Sequence, residues 1–323
     1  MELLPDFRLL RPQSVADALS ARAASAGARF LAGGTDLLAN MRRGLVDADI
    51  LIDLGAVAEL KALTFDAAGL RIGAGVTLEA LAAHPDVRRD YPALAQAALG
   101  IAGPTHRAVG TVGGNLCLDT RCRFYNQSAS WRAGNDFCMK KDGDACRVAK
   151  KSARCYAAFS GDLAPALMVL GAVAEIAGPQ GRREQPLADN YADDGIAYLA
   201  LAPEELLVAV RVPATAGLRS GYEKIRVRAA LDFPLAGVSV ALTFKEGRID
   251  TLRIAVTGTD SRPILISGLD ALHGLSPEEA EAQIEKLMRK QIGPMETALA
   301  SASYRRRVAP ALAKRLMRRL FDA

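Results

Sequence analysis

Apolar residues recur at helical spacing in some stretches of this chain and run consecutively in others, and the two patterns alternate. Ser14 precedes Val15, Ala16, Ala18 and Leu19, with Asp17 three positions after the serine. That spacing predicts a side-chain-capped helix start. A short strand over residues 28–31 leads into Ala32-Gly33-Gly34-Thr35-Asp36 and a second helix. Apolar runs predict strands over 50–54 and 70–72, and helical periodicity predicts helices over 78–83 and 93–102. After Gly161-Asp162-Leu163-Ala164-Pro165 come a short helix and strands over 172–176 and 206–212. A hinge is expected over 213–217, then strands over 222–227, 237–244 and 252–256 with Gly247 at a turn, and helices over 277–289 and 304–320. In the last of these Val308, Leu312, Leu316 and Leu320 recur at every fourth position between basic residues, as on a packed amphipathic helix. The alternation predicts an α+β or α/β layout, and no internal repeat is visible.

One stretch breaks the pattern. Residues 118–158 are polar, basic and without sustained periodicity, and about forty structureless residues inside a compact domain need a cause. A metal centre supplies one, because ligand bonds order a segment that buries little apolar surface. Four of the five cysteines, Cys122, Cys138, Cys146 and Cys155, fall here. Between Arg121 and Cys155 nine Lys or Arg face three Asp, a balance of +6 where the whole chain is +5. Such a field is expected to lower a thiol pKa from about 8.5 toward about 3.5–7.5. No Cys-x2-Cys pair occurs, so neither the zinc-ribbon nor the bacterial ferredoxin spacing is met. On spacing alone an iron–sulfur cluster, zinc and unliganded thiols all remain open. Cys117 reads as a small buried hydrophobe.

With 323 residues and 50% apolar composition, the chain can bury two or three compact units. No run of about 18 apolar residues suggests a membrane span, and Met1-Glu2-Leu3-Leu4-Pro5-Asp6 lacks the layout of a signal peptide. A cytoplasmic location is expected, where clustered cysteines are ligands or redox groups more often than disulfides. Excess charge is confined to the cysteine segment and the C-terminal helix, and aromatic residues are 5%, which argues against nucleic-acid binding. The three histidines, His84, His106 and His273, lie in separate segments, so neither a His-based metal triad nor Ser-His-Asp machinery is expected. His106 is expected to stabilise its turn. No catalytic residue is assigned to this chain; its motifs suit holding cofactors.

Two glycine turns carry the binding chemistry. Gly33-Gly34-Thr35-Asp36 lies between strand and helix, where backbone N–H groups can face an anion. Thr111-Val112-Gly113-Gly114-Asn115 offers the same donors plus a hydroxyl and an amide. Two such turns suit a dinucleotide, although neither matches the Gly-x-Gly-x-x-Gly fingerprint. Asp162 and Lys224 read by themselves as ordinary surface residues.

Ala32-Gly33-Gly34-Thr35-Asp36-Leu37-Leu38, Thr111-Val112-Gly113-Gly114-Asn115-Leu116-Cys117 and Gly161-Asp162-Leu163-Ala164-Pro165-Ala166-Leu167 together resemble the FAD-binding medium subunits of the xanthine dehydrogenase and CO dehydrogenase family, over essentially the whole chain. The resemblance implies an α+β fold. A two-lobed FAD-binding domain would span 1–217, split near 60, with an inserted loop over 118–158, and a C-terminal α/β domain would span 218–323. It implies noncovalent FAD and partners that carry molybdopterin (large) and 2Fe-2S clusters (small), likened to a dimer of heterotrimers. The first FAD loop would be Arg29, Phe30, Leu31, Ala32, Gly33, Gly34, Thr35 and Asp36. Ile101 would be an apolar contact, and Thr111, Gly113, Gly114 and Asn115 the second loop. Asp162 would touch the flavin's sugar chain and Lys224 would lie near the flavin. The insertion itself, Arg121-Cys122-Arg123-Phe124-Tyr125-Asn126-Gln127-Ser128 with Cys138, Cys146 and Arg154-Cys155-Tyr156, is similar to that of β subunits of the 4-hydroxybenzoyl-CoA reductase type, whose added loop carries a 4Fe-4S cluster. That likeness implies Cys122, Cys138, Cys146 and Cys155 as ligands, Phe124 between flavin and cluster, and electrons relayed from a ferredoxin-type donor through 4Fe-4S and FAD toward 2Fe-2S and molybdenum.

Overall fold

The computed structural model describes residues 3–297 and 299–323; the first two residues of the N-terminal stretch read above lie outside them. Three sheets follow one another along the chain. The first is parallel: β1 (Arg8–Leu10), β2 (Ala28–Leu31) and β3 (Ile50–Asp53) in the order β1-β3-β2, with α1 (Val15–Ala23) and α2 (Leu37–Arg42) in the crossovers. Ser14 caps α1 as its spacing predicts, its Oγ accepting from the Asp17 amide at 3.1 Å.

The second sheet is antiparallel. It comprises β4 (Leu63–Asp66), β5 (Gly69–Gly73), β6 (Val173–Gly178), β7 (Gly181–Pro186) and β8 (Leu206–Pro213) in the order β4-β5-β8-β6-β7. Between β5 and β6 run α3 (Leu78–Ala83), α4 (Pro85–Asp90), α5 (Pro92–Gly100), α6 (Pro104–Arg107), α7 (Val112–Leu116), α8 (Ala129–Ala133) and α9 (Leu163–Val169). Residues 118–158 hold only α8 and isolated bridges, in keeping with their lack of periodicity. Glu175 on β6 is buried and accepts from Arg71 on β5 and Arg211 on β8, bonding the three central strands through side chains as well as backbone.

The third sheet, order β12-β11-β10-β9, is built from β9 (Arg219–Ile225), β10 (Ala236–Lys245), β11 (Arg248–Thr257) and β12 (Ile264–Leu265). One face packs on α10 (Pro277–Gln291) and α11 (Ala302–Asp322), through Leu312 and Leu316 among others. The other face packs on α5 and α9, where Tyr222, Ala241 and Ala255 join the core of the second sheet. Burial on both faces explains why β10 is closed to water over seven consecutive residues instead of alternating. The connection over 213–217 is fastened: Ala214 N–H donates to Ala68 O at 3.0 Å and Thr215 Oγ1 to Asp90 O at 2.7 Å. With the sheet beyond it sharing a core, the expected hinge is not found. Among the described residues no helix is long and apolar enough to cross a membrane.

Candidate functional site

The first glycine turn leaves β2 and lies directly on the chain that precedes the second. A Cβ at Gly33 would fall 2.0 Å from Val109 O, so only glycine permits this approach, and Gly34 takes φ +70°. Among the described residues the amides of Gly33, Gly34, Thr35 and Asp36 find no protein acceptor. Four consecutive free donors at the end of a parallel strand are what a pyrophosphate needs. Arg29 is exposed and Phe30, Leu31 and Ala32 half-buried along the approach.

The second turn differs from expectation. Its amides are already spent: Val112 donates to Val76 O, Gly113 to Ala74 O, Gly114 to Thr111 Oγ1 and Asn115 to Thr111 O. Asn115 Oδ1 accepts from Leu163 N–H at 3.0 Å. This turn therefore offers shape, an exposed Gly114 and the remaining hydrogens of Thr111 and Asn115, and the free backbone donors belong to the first turn. The ring of His106 is exposed; its carbonyl, accepting from Gly110 at 2.7 Å, holds the turn.

Asp162 and Lys224 are not surface residues. Lys224 Nζ lies 2.9 Å from Asp162 Oδ1, with side chains 5% and 4% exposed. Tyr222 donates its hydroxyl to the same carboxylate oxygen. Burial pushes the Asp162 carboxyl up, against the pull of Lys224, and pushes the Tyr222 hydroxyl well above its ordinary range. Gly100 passes within van der Waals reach of where both Tyr222 and Lys224 sit, which brings Ile101, the residue ending α5, alongside. The first turn, the second turn, the Gly161 turn and β9 thus form one contiguous wall. Tyr222 had no signal in the sequence, because only the pairing of β9 with the body shows what it faces.

The cysteine segment is pinched at its neck, where Arg121 N–H donates to Ala158 O at 2.9 Å and Ala158 N–H to Arg121 O at 2.7 Å. It is docked on the first lobe. Arg121 Nη2 reaches Asp36 Oδ1 at 2.6 Å and also Asn40, Tyr125 donates to Leu45 O at 3.2 Å, and Lys141 pairs with Asp47 at 2.6 Å. Burial holds the Asp36 carboxyl above its ordinary range despite Arg121.

Within the segment Cys122, Cys138, Cys146 and Cys155 line one small cavity, together with Phe124, Lys140 and Arg147. Among the described residues no three His, Cys, Asp or Glu side chains are grouped so as to hold a single metal ion. Amides of Tyr125 and Ala157 donate to the sulfurs of Cys122 and Cys155 at 3.3 and 3.4 Å. Four thiols lining one cavity, two of them accepting N–H bonds, are the donor set a thiolate-ligated cluster uses. Phe124 lines this cavity and packs edge-on to Trp131 at 5.0 Å. Cys117 caps α7 outside it, and burial pushes its thiol up to about 12.

At Cys122 and Cys155 the expected depression of the thiol pKa is overturned. Burial raises Cys122 and pushes Cys155 up to about 11. Most of the cations are turned elsewhere: Arg121 to Asp36, Lys141 to Asp47, Arg154 to Asp193, and Arg147 to the carbonyls of Asp136 and Phe137.

Comparison with known proteins identifies the family. The model of the FAD binding domain in molybdopterin dehydrogenase matches residues 5–215, and that of the CO dehydrogenase flavoprotein C-terminal domain matches 221–320. The aldehyde oxidoreductase FAD-binding subunit PaoB of Escherichia coli K12 is 37% identical over 254 residues, 76% of this chain and 79% of its own. The carbon monoxide dehydrogenase medium chain of Afipia carboxidovorans is 30% identical over 261 residues, 80% and 76% of the two chains. The structure of reconstituted CO dehydrogenase from Oligotropha carboxidovorans superposes with a TM-score of 0.82 at 25% identity, covering 99% of each chain. The chain belongs to the FAD-binding medium subunits of the molybdenum hydroxylase family, the xanthine dehydrogenase and CO dehydrogenase type. It is an oxidoreductase subunit that binds FAD.

Proposed function

We propose that this subunit relays single electrons between an external ferredoxin-type donor and FAD through a 4Fe-4S cluster held by Cys122, Cys138, Cys146 and Cys155. The observation that carries this reading is the common cavity of the four thiols, entered one residue after Arg121, which bonds Asp36 of the first glycine turn. Bound at these sites, a flavin exchanges one or two electrons and a cluster one. The chain's own residues do the holding. Gly33, Gly34, Thr35 and Asp36 would receive the pyrophosphate on free amides, Asp162 and Lys224 would line the flavin wall, and Arg121 keeps the thiol segment against the first lobe.

The domain division at 217/218 belongs to the same reading, with the FAD site between the lobes of residues 1–217 and residues 218–323 closing it. Large molybdopterin and small 2Fe-2S partners, assembled as a dimer of heterotrimers in a reducing cytoplasm, complete the route. The thiol insertion supports an enzyme of the 4-hydroxybenzoyl-CoA reductase type, which removes the phenolic hydroxyl reductively to give benzoyl-CoA. The 37% identity to an aldehyde oxidoreductase subunit favours a second reading, in which the partner oxidises an aldehyde.

Anaerobic assay of the copurified complex separates the two. Donor-dependent reduction of 4-hydroxybenzoyl-CoA supports the first, aldehyde oxidation supports the second, and reductive titration that bleaches a flavin band alone overturns the relay.

A further inference from the structure

We propose that Lys140 is a positioning residue of the thiol cavity, a fixed cation that favours the more negative redox state of the centre the four cysteines hold. This rests on the cluster reading above. Lys140 lies between Cys138 and Cys146 in the chain, lines their cavity, and has a side chain 7% exposed. Its ammonium lies within hydrogen-bond reach of four acceptors for its three N–H groups, Asp119 Oδ1 at 2.8 Å, Thr120 O at 2.8 Å, Gly195 O at 2.7 Å and the Thr120 hydroxyl. The rings of Tyr125 and Tyr198 flank it at 4.9 and 5.6 Å. Held on every side, the charge cannot swing out to water. Tyr198 in turn donates to Cys117 O at 3.1 Å, which fastens this cage to the end of the helix begun by the second glycine turn.

The charge balance points the same way. The residues lining the cavity include no acid; of its two cations Arg147 donates to the carbonyls of Phe137 and Asp136, which leaves Lys140, with Asp119 behind it and outside the lining. A cation near a cluster in a poorly screened site raises its reduction potential, because charge and hydrogen bonding set that potential.

The test uses the complex purified anaerobically, with iron and sulfide measured first and the midpoint potential then read by EPR-monitored redox titration. Lys140→Gln keeps a donor and removes the charge. The expected result is full iron content with the reduced-to-oxidised ratio at a fixed potential lowered about tenfold, about 59 mV for a one-electron couple. Lys140→Arg keeps the charge and stays close to the parent value. Asp119→Asn removes the compensating anion and shifts the potential the opposite way, upward, which mere structural damage does not produce. An unchanged potential in an iron-replete Lys140→Gln, or shifts of the same sign in Lys140→Gln and Asp119→Asn, overturns the proposal. If Lys140→Gln loses its iron, Asp119→Asn decides: an upward shift supports the proposal and any other result overturns it. A parent complex without iron and sulfide overturns the cluster reading, and this proposal with it.

Discussion

Lys224 Nζ sits 2.9 Å from Asp162 Oδ1 with both side chains closed to water, so a strand of the C-terminal sheet is ionically tied to the helix start that follows Gly161. Removing one partner leaves the other buried without compensation, a change that typically costs about 3–5 kcal/mol. Lys224→Met is expected to lower the urea unfolding midpoint of the chain and to weaken flavin retention together. Loss of flavin with an unchanged midpoint would assign Lys224 to the cofactor alone.

The contact between the two glycine turns is equally specific. Gly33→Ala puts a methyl group 2.0 Å from Val109 O and forces the turns apart. Purified protein is expected to retain less than a tenth of the parent's FAD. Gly134→Ala, where a Cβ meets only ordinary contacts beyond 3.5 Å, should retain it all. Fluorescence of released flavin measures both.

Serine substitution separates the thiols. Cys122→Ser, Cys138→Ser, Cys146→Ser and Cys155→Ser are each expected to lose most of the iron, whereas Cys117→Ser, outside the cavity, keeps it. Iron loss in Cys117→Ser without loss in Cys122→Ser would show the ligand set to be misassigned.

Glu175 gives a pH dependence whose sign follows from its partners. Burial works to raise its carboxyl, but the bonds from Arg71 and Arg211 outweigh it and hold the group below its ordinary value. The unfolded chain then binds more protons than the folded one across that interval, so stability rises with pH there. The contribution is complete above about pH 4.5 and is lost as pH falls through the depressed folded value. Glu175→Gln is expected to cost about 2 kcal/mol at pH 7 and to flatten the acid limb of a stability-against-pH curve. A parallel, undiminished acid limb in the variant would contradict this.

Lys150 and Lys151 remain exposed cations of the thiol segment, since most of the others are paired, Arg123 with Glu296 among them. Steering of an acidic ferredoxin toward them predicts that the rate of donor-dependent reduction falls as salt is raised. Lys150→Gln with Lys151→Gln should lower both the rate and its salt slope in stopped-flow measurements. A rate insensitive to ionic strength would remove the docking idea.

Much of this was legible in the chain. The strand over 28–31 and the helix over 78–83 form where apolar spacing puts them, the helix because it buries one face through Leu78, Leu81 and Ala82. The exposed edge strand β7, Gly-Arg-Arg-Glu-Gln-Pro, was invisible, having no buried face to impose a period. The thiol cluster was legible as a cluster, but its electrostatics were not. Counting nine cations along the segment says nothing of where they turn, and most turn to acids and carbonyls of other segments. The Asp162–Lys224 pair was likewise beyond periodicity, since two isolated polar residues 62 positions apart carry no local sign of burial.

The most direct test of the relay is composition. After anaerobic purification, FAD, iron, acid-labile sulfide and zinc are measured per chain of this subunit. The account predicts about one FAD with about four iron and four sulfide and no stoichiometric zinc. FAD without iron or sulfide, or zinc in their place, would contradict it.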